Sequence, residues 1–343
     1  MVRMPYKDSE YTSQKSTRFY VNKKKKAEGF HSSLYTHMLT EDLRLGIMPI
    51  GWQPKRFNFE CELKPKSTDV EKLIREGLPT HHGVPHYFTE AICDFVEEAT
   101  HIVACYGRAL YEIIYVFNNK RRDKVKGFQL TNIPNHSIKS FLGFYWQYIP
   151  KEAMEYRARE RRALQQDEEI EARDKRMVWL PRQCIFALDF PKQLGGTSQL
   201  RRMMCDLGWA GQETVPKFYM KDMELQKQQQ GYDFSVYRDN QDIFVLKLTK
   251  QLGWTARSLS SEKLLEFYTF YRYLKFARTQ AILREYIIEK LNNLLIKTGK
   301  EIGFNNRIVL KNCISSEELT AGIEKLLKGQ LEFTEILNLA KLN

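Results

Sequence analysis

The chain has 343 residues, 43% hydrophobic and 13% aromatic, enough to bury a core and too many for a disordered protein. Its formal net charge of +12 favours contact with nucleic acid, anionic lipid or an acidic partner, without choosing among them. No run of about 18 or more apolar residues is present and the N-terminus lacks an apolar signal core, so no spanning helix or secretory leader is expected, and the protein is expected to be made and kept in the cytosol, or assembled there.

Residues 1–33 read as a basic flexible arm. Within it, residues 1–26 carry eight basic side chains against Asp8 and Glu10, half of the whole excess of charge. Lys23, Lys24, Lys25 and Lys26 have two readings, a phosphate-binding patch or a solvated tail. From 34 to 84 the pattern is broken by Pro49, Pro54, Pro65 and Pro79, with a short strand over Arg56–Leu63 and a short helix near Thr68–Glu76. The unit from Pro85 to Phe117 is sharper. Phe88, Ile92, Phe95, Ala99, Ile102 and Tyr106 share one helical face, and Gly107 then supplies the positive φ of a helix-to-strand corner. Ala109–Phe117 is β-branched and aromatic on both faces, a strand to be covered on both sides. A basic turn at Lys120–Lys124 and an alternating strand over Val125–Ile133 complete a hairpin.

Beyond Pro134, two short strands are predicted over Ser137–Leu142 and Phe144–Ile149, then a mixed-charge helical projection over Glu155–Arg176. Strand character returns over Met177–Pro181 and Cys184–Phe190. Gly195 and Gly196 open a helix with Thr197 or Ser198 as its cap and Leu200, Met203, Met204 and Leu207 on its apolar side. Pro216 interrupts it before Lys217–Gln230. Residues 231–257 are expected to be extended, as Phe234–Tyr237 and Ile243–Thr249, ending at Gly253 and Trp254. Ser260 or Ser261 then caps a helix from Glu262 to Lys297. Its apolar stripe runs through Phe267, Phe270, Leu274, Ala277, Ala281, Ile288, Leu291 and Leu295. At 1.5 Å per residue it is about 50 Å long, which argues for an elongated subunit. A strand over Arg307–Leu310, a helix from Ser316 capped by Glu317 and Glu318 and running to Leu327, a stop at Gly329 and a short helix near Glu332 close the chain. The fold class is α+β, with long helices and small mixed sheets.

Little in the chain suggests catalysis. His81, His82, His86 and Glu90 approach a metal-ligand spacing, but Pro85 leaves His81 and His82 before the helix, so no metal is assigned. His101 and Cys105 are one turn apart with no third group to orient them. Phosphate-loop, nucleophile-elbow and dinucleotide motifs are absent, and the chain is expected not to be an enzyme and to carry no cofactor. The six cysteines are far apart in sequence and read as buried free thiols. Phe267, Tyr268, Phe270, Tyr271, Tyr273 and Phe276, with Arg272 and Lys275, either stack bases or are buried between elements or subunits.

Taken in order, these pieces resemble a tailed-bacteriophage portal protein. Tyr106, Gly107, Arg108, Ala109, Leu110 and Tyr111 match the family's helix-to-strand Gly-x-Ala-Tyr corner. Thr131–Pro134, Trp179–Phe186 and Gly196–Leu200 match its following strands and its Gly-x-Ser-x-Leu helix start. Ile287–Leu295, Ser316–Gly329 and Glu335 match its closing helices. The likeness covers roughly residues 85–340. Gly-Arg-Ala-Leu-Tyr replaces Gly-Asn-Ala-Tyr, Thr334 replaces the closing Asn, and little chain is left for a crown beyond 340, which implies a minimal or divergent member.

The resemblance implies an elongated portal-like subunit. Its parts are the arm (1–33), an N-terminal wing part (34–84), the long helix and strand (85–117), a clip-like β region with a charged insertion (118–194), a stem helix and tunnel-loop region (195–260), and a long wing helix with the C-terminal strand and helices (261–343). It implies a ring of about twelve copies at one capsid vertex of the virion, assembled in the host cytoplasm. Double-stranded DNA would pass through that ring. Terminase, the head-tail adaptor and the major capsid or scaffolding protein would be its partners, with no membrane. A sliding channel needs sparse charge, because each persistent phosphate contact adds friction. Lys217, Lys221, Lys227, Lys247 and Lys250 are the candidates for channel-side contacts, with ordinary surface solvation as the alternative for each. The second reading is a basic helical nucleic-acid-binding protein acting as a monomer or dimer. A third, a metal-dependent enzyme centred on His82 and Glu90, trails both.

Overall fold

The computed structural model describes residues 34–48, 59–79, 87–117, 125–141, 144–148, 177–210, 234–257, 266–332, 334–335 and 339. The arm with Lys23 to Lys26, the turn at 118–124, the projection at 155–176, Lys217, Lys221 and Lys227, and the expected caps Ser260 and Ser261 lie outside them.

The described chain is mixed helix and sheet, α+β as the pattern predicts. In order it runs α1 (Leu34–Leu45), β1 (Glu60–Lys64), α2 (Thr68–Gly77), α3 (Phe88–Tyr106), β2 (Arg108–Phe117), β3 (Val125–Ile133), β4 (Ile138–Phe141), β5 (Phe144–Tyr148), β6 (Met177–Leu180), β7 (Ile185–Asp189), α4 (Gly196–Ala210), α5 (Phe234–Leu248), α6 (Glu266–Ile302), β8 (Arg307–Lys311) and α7 (Ser316–Leu327). Among the described residues three small sheets form, ordered β1-β8, β3-β2-β7 and β4-β5-β6. The chain leaves the second sheet after β3, builds the third, and returns to pair β7 with β2 from Arg108↔Asp189 to Glu112↔Ile185.

The core is organised on α3. Ile92, Phe95, Ala99 and Ile102 of its expected stripe are buried as the spacing requires, while Phe88 is half-buried and Tyr106, at the helix end, is 42% exposed and falls off it. Phe95 meets Tyr111 of β2 at 5.5 Å between ring centroids and Phe186 of β7 at 6.5 Å, joining helix to sheet through aromatic contact. β2 is covered on both faces over its first half. Tyr111 and Ile113 point into the α3 core, while Leu110 packs with Ile133 and Leu180 in a separate cluster under the β4-β5-β6 sheet.

Gly107 makes the corner with φ 77°, its N–H donating to Val103 at 2.7 Å and closing the helix. Its carbonyl accepts from Phe190 N at 3.0 Å and from Thr197 Oγ1 at 2.9 Å, so one residue ties α3, the end of β7 and the start of α4 together. That overturns the expected cap. With Gly195 at φ 100° and Gly196 at φ 69°, the helix starts at Gly196, and Thr197 lies inside it with its hydroxyl turned to Gly107.

A larger correction concerns 234–248, which is helix α5 and not two strands. Phe244 and Val245 are buried and Leu248 is half-buried, a helical spacing of one and four. Short apolar runs do not separate helix from strand by themselves, and tertiary packing decided here. The long helix is 37 residues, shifted a few positions from its expected bounds, and spans about 55 Å. Its stripe is buried from Leu274 through Leu295, but Phe267 is 48% exposed and falls off it. Among the described residues no helix is long and apolar enough to cross a membrane.

Candidate nucleic-acid interface

Two hydrogen bonds fix how α4 and α5 lie together. Gln199, near the start of α4, donates to Gln251, just beyond α5, while Gln241 Nε2 donates to the carbonyl of Ala210 at the far end of α4 at 3.0 Å. The early part of one helix therefore meets the late part of the other, an antiparallel pair. Leu200, Met203, Met204 and Leu207 are buried, which turns Arg201 and Arg202 outward on α4. Lys247 and Lys250 are likewise exposed at the end of α5. All four cations lie within about one helical turn of the Gln199–Gln251 bond. In α4 the first acid met after them is Asp206. The result is one cationic end on a helix pair, the kind of surface that attracts phosphates.

The turn that follows α5 is held against α6 by buried polar groups. Arg272 of α6 is only 1% exposed. It donates from Nη1 to Leu246 O at 3.0 Å, and from Nη2 to Thr249 Oγ1 at 3.0 Å and to the carbonyl of Trp254. Thr279 Oγ1 donates to Leu252 O at 2.9 Å. Gly253, at φ 85°, sits so close to α6 that a Cβ there would come within 2.6 Å of Phe276 N. Lys250 therefore projects from an anchored turn.

This geometry separates the expectations. Lys247 and Lys250 are brought together, and Arg201 and Arg202 join them, unforeseen although the apolar stripe of α4 already put the Arg pair on its open side. Base stacking by the α6 aromatics with Arg272 is not supported. The guanidinium is buried on backbone carbonyls, Tyr268 and Tyr271 stack at 6.3 Å, and Phe270 and Tyr271 pack toward α7. Only Phe267 and Tyr273 of that group are about half exposed, at 48% and 49%.

The candidate chemistry elsewhere is weak. His101 Nε2 lies 3.8 Å from Cys105 Sγ, but burial pushes that thiol up, only partly offset by a hydrogen bond with Thr40. Burial likewise holds Cys184 and Cys313 up at about 11, so both are neutral thiols. All six cysteines are free, with Cys61, Cys93 and Cys184 buried and the other three half-buried. Glu90 accepts from the N–H of Tyr87 at 3.4 Å, a helix-start role, while His81, His82 and His86 lie outside the described residues. Among the described residues no group of three or more His, Cys, Asp or Glu is placed to hold a metal. No protein-family model matches the chain, and a search of curated proteins finds no match.

Proposed function

We propose that the chain is a portal-like subunit that forms a closed ring around double-stranded DNA, with the cationic end of α4 and α5 facing the duplex. The observation that carries the DNA contact is the grouping of Arg201, Arg202, Lys247 and Lys250 at one end of an antiparallel helix pair. Four exposed cations give a contact that is strong enough to guide phosphates and sparse enough to let them slide. The ring assignment draws its support from the order of parts. A helix, a left-handed glycine, a hairpin whose sheet is completed by β7 only after a separate three-stranded sheet, a glycine-led helix and a helix of 37 residues follow one another as in the portal pattern. Within such a ring the β4-β5-β6 sheet is the clip-like part that meets terminase and adaptor, and α6 is the long wing helix.

The native mass of the purified assembly tests the proposal. A single species of about a dozen copies is the expected result. A monomer or dimer that binds oligonucleotides with a steep salt dependence sinks the ring and leaves the second reading, which the cationic patch by itself also fits.

A further inference from the structure

We infer that Asp42 of α1 is a positioning residue for the cationic patch, holding the turn after α5 in the conformation that keeps Lys247 and Lys250 beside α4. The inference rests on the nucleic-acid reading of that patch.

The turn ends in an unfavourable backbone. Ala256 has φ 59° and Arg257 has φ 56°, two successive non-glycine residues in the left-handed region. There each Cβ crowds a backbone carbonyl, and such a conformation persists only where its surroundings over-determine it. Ala256 is 3% exposed, so the first of the pair lies under the surface, while Arg257 is exposed and meets Asp42 there.

Asp42 supplies contacts on both sides of the strained residue. Its Oδ2 accepts from the Trp254 indole N–H at 2.7 Å, and its Oδ1 accepts from Arg257 Nε at 2.7 Å and from Arg257 Nη2. Its backbone carbonyl accepts from Gln280 Nε2 of α6 at 2.9 Å. One residue of α1 thus grips the turn and the long helix together. Arg272 and Thr279 fix the turn from the α6 side at Leu246, Thr249, Leu252 and Trp254, and Asp42 closes it at Arg257. Without the carboxylate, Arg257 keeps only Glu41, whose Oε2 accepts from its Nη2 at 3.4 Å, loses the bond at Nε, and leaves the strained pair less constrained against relaxing to right-handed backbone. That change works back along the turn to Gln251, whose bond to Gln199 sets the register of α5 on α4.

Hydrogen exchange of the full chain, followed peptide by peptide, together with binding of a short random-sequence DNA duplex, tests this. Asp42→Asn keeps the shape and the acceptor for Trp254 but loses the charge. Exchange over 249–257 is expected to rise about tenfold with other segments unchanged. Duplex affinity is expected to fall about threefold. Adding Ala256→Gly, which takes the left-handed region without a Cβ clash, is expected to restore both. Unchanged exchange over 249–257 overturns the inference, as does a general rise over the whole chain that Ala256→Gly does not reverse. Faster local exchange with unchanged duplex affinity also overturns it, provided that Arg201→Gln/Arg202→Gln weakens binding. Should that double variant bind duplex normally, the nucleic-acid reading of the patch fails first, and exchange alone then decides whether Asp42 holds the turn.

Discussion

Gly107 and Gly253 both turn the chain through left-handed backbone, at φ 77° and φ 85°, yet the two corners are held by different physics. The Gly107 corner is a packing corner. It joins α3 to β2, which pack on each other farther along through Phe95, Tyr111 and Phe186, and the polar contacts at its carbonyl come from Phe190 N and Thr197 Oγ1. The Gly253 corner is a polar corner. Arg272 and Thr279 satisfy its carbonyls from α6, and Asp42 ties it to α1. Apolar packing is tolerant of small shifts, whereas a buried guanidinium with fixed donors accepts one backbone arrangement. The comparison teaches that the turn carrying Lys250 is fixed by buried polar contacts from α6 and α1, where the Gly107 corner rests on the apolar packing of the elements it joins.

The largest effect expected falls on the packing corner. Phe95→Ala removes a fully buried ring between helix and sheet and is expected to lower stability by about 3–5 kcal/mol in denaturant titration. A loss below about 1 kcal/mol would mean that α3 is not the centre of the core.

At the polar corner, Gly253→Ala must place a Cβ against the α6 backbone as well as strain φ, so a loss of about 2–4 kcal/mol is expected. Gly107→Ala meets the φ penalty and is expected to lose about 1–2 kcal/mol by the same measurement. Equal losses at the two positions would erase the distinction drawn between the corners.

The packing corner also has a pH signature. Glu98 on α3 is 4% exposed, and burial pushes its carboxyl up to about 7, opposed by a hydrogen bond with Asn132. Since the folded state holds the proton more tightly than the unfolded chain, this contribution is fully present below the ordinary carboxylate range. It is lost as pH rises through about 7, a total of about 3 kcal/mol. Stability measured from pH 5 to 8 is therefore expected to fall, and Glu98→Gln is expected to flatten the profile. A profile of Glu98→Gln that runs parallel to the parent would remove Glu98 as the cause.

The smallest effect on stability is expected at the surface. Arg201→Gln/Arg202→Gln leaves the melting temperature within a degree or two and lowers the salt slope of duplex binding by about two, one for each lost phosphate contact. An unchanged slope would take these arginines out of the interface.

Much of this was legible in the sequence, for local reasons. The α3 stripe, the glycine corner and the hairpin follow from spacing and from the conformational freedom of glycine, because each is a property of neighbours along the chain. The start of α7 at Ser316 is of the same kind, but its cap is Ser315, which accepts from Glu318 N at 3.2 Å, rather than the expected Glu317 and Glu318. The opposite face of α4, with its two arginines, was equally readable and went unused. Helix α5 was not readable, since its few apolar residues suit either period until α4 and α6 pack on them. Nor was the fate of Arg272, which looks on paper like a cation beside aromatic rings and is in fact buried on the carbonyls of the α5 turn. Sequence by itself determined the elements whose cause is local: periodic apolar faces, glycine corners and the overall basic charge. Tertiary structure alone decided which cations face water and which are buried. It also joined Asp42 to Arg257 across 215 residues, because hydrogen-bond partners so far apart in the chain leave no periodic trace in it.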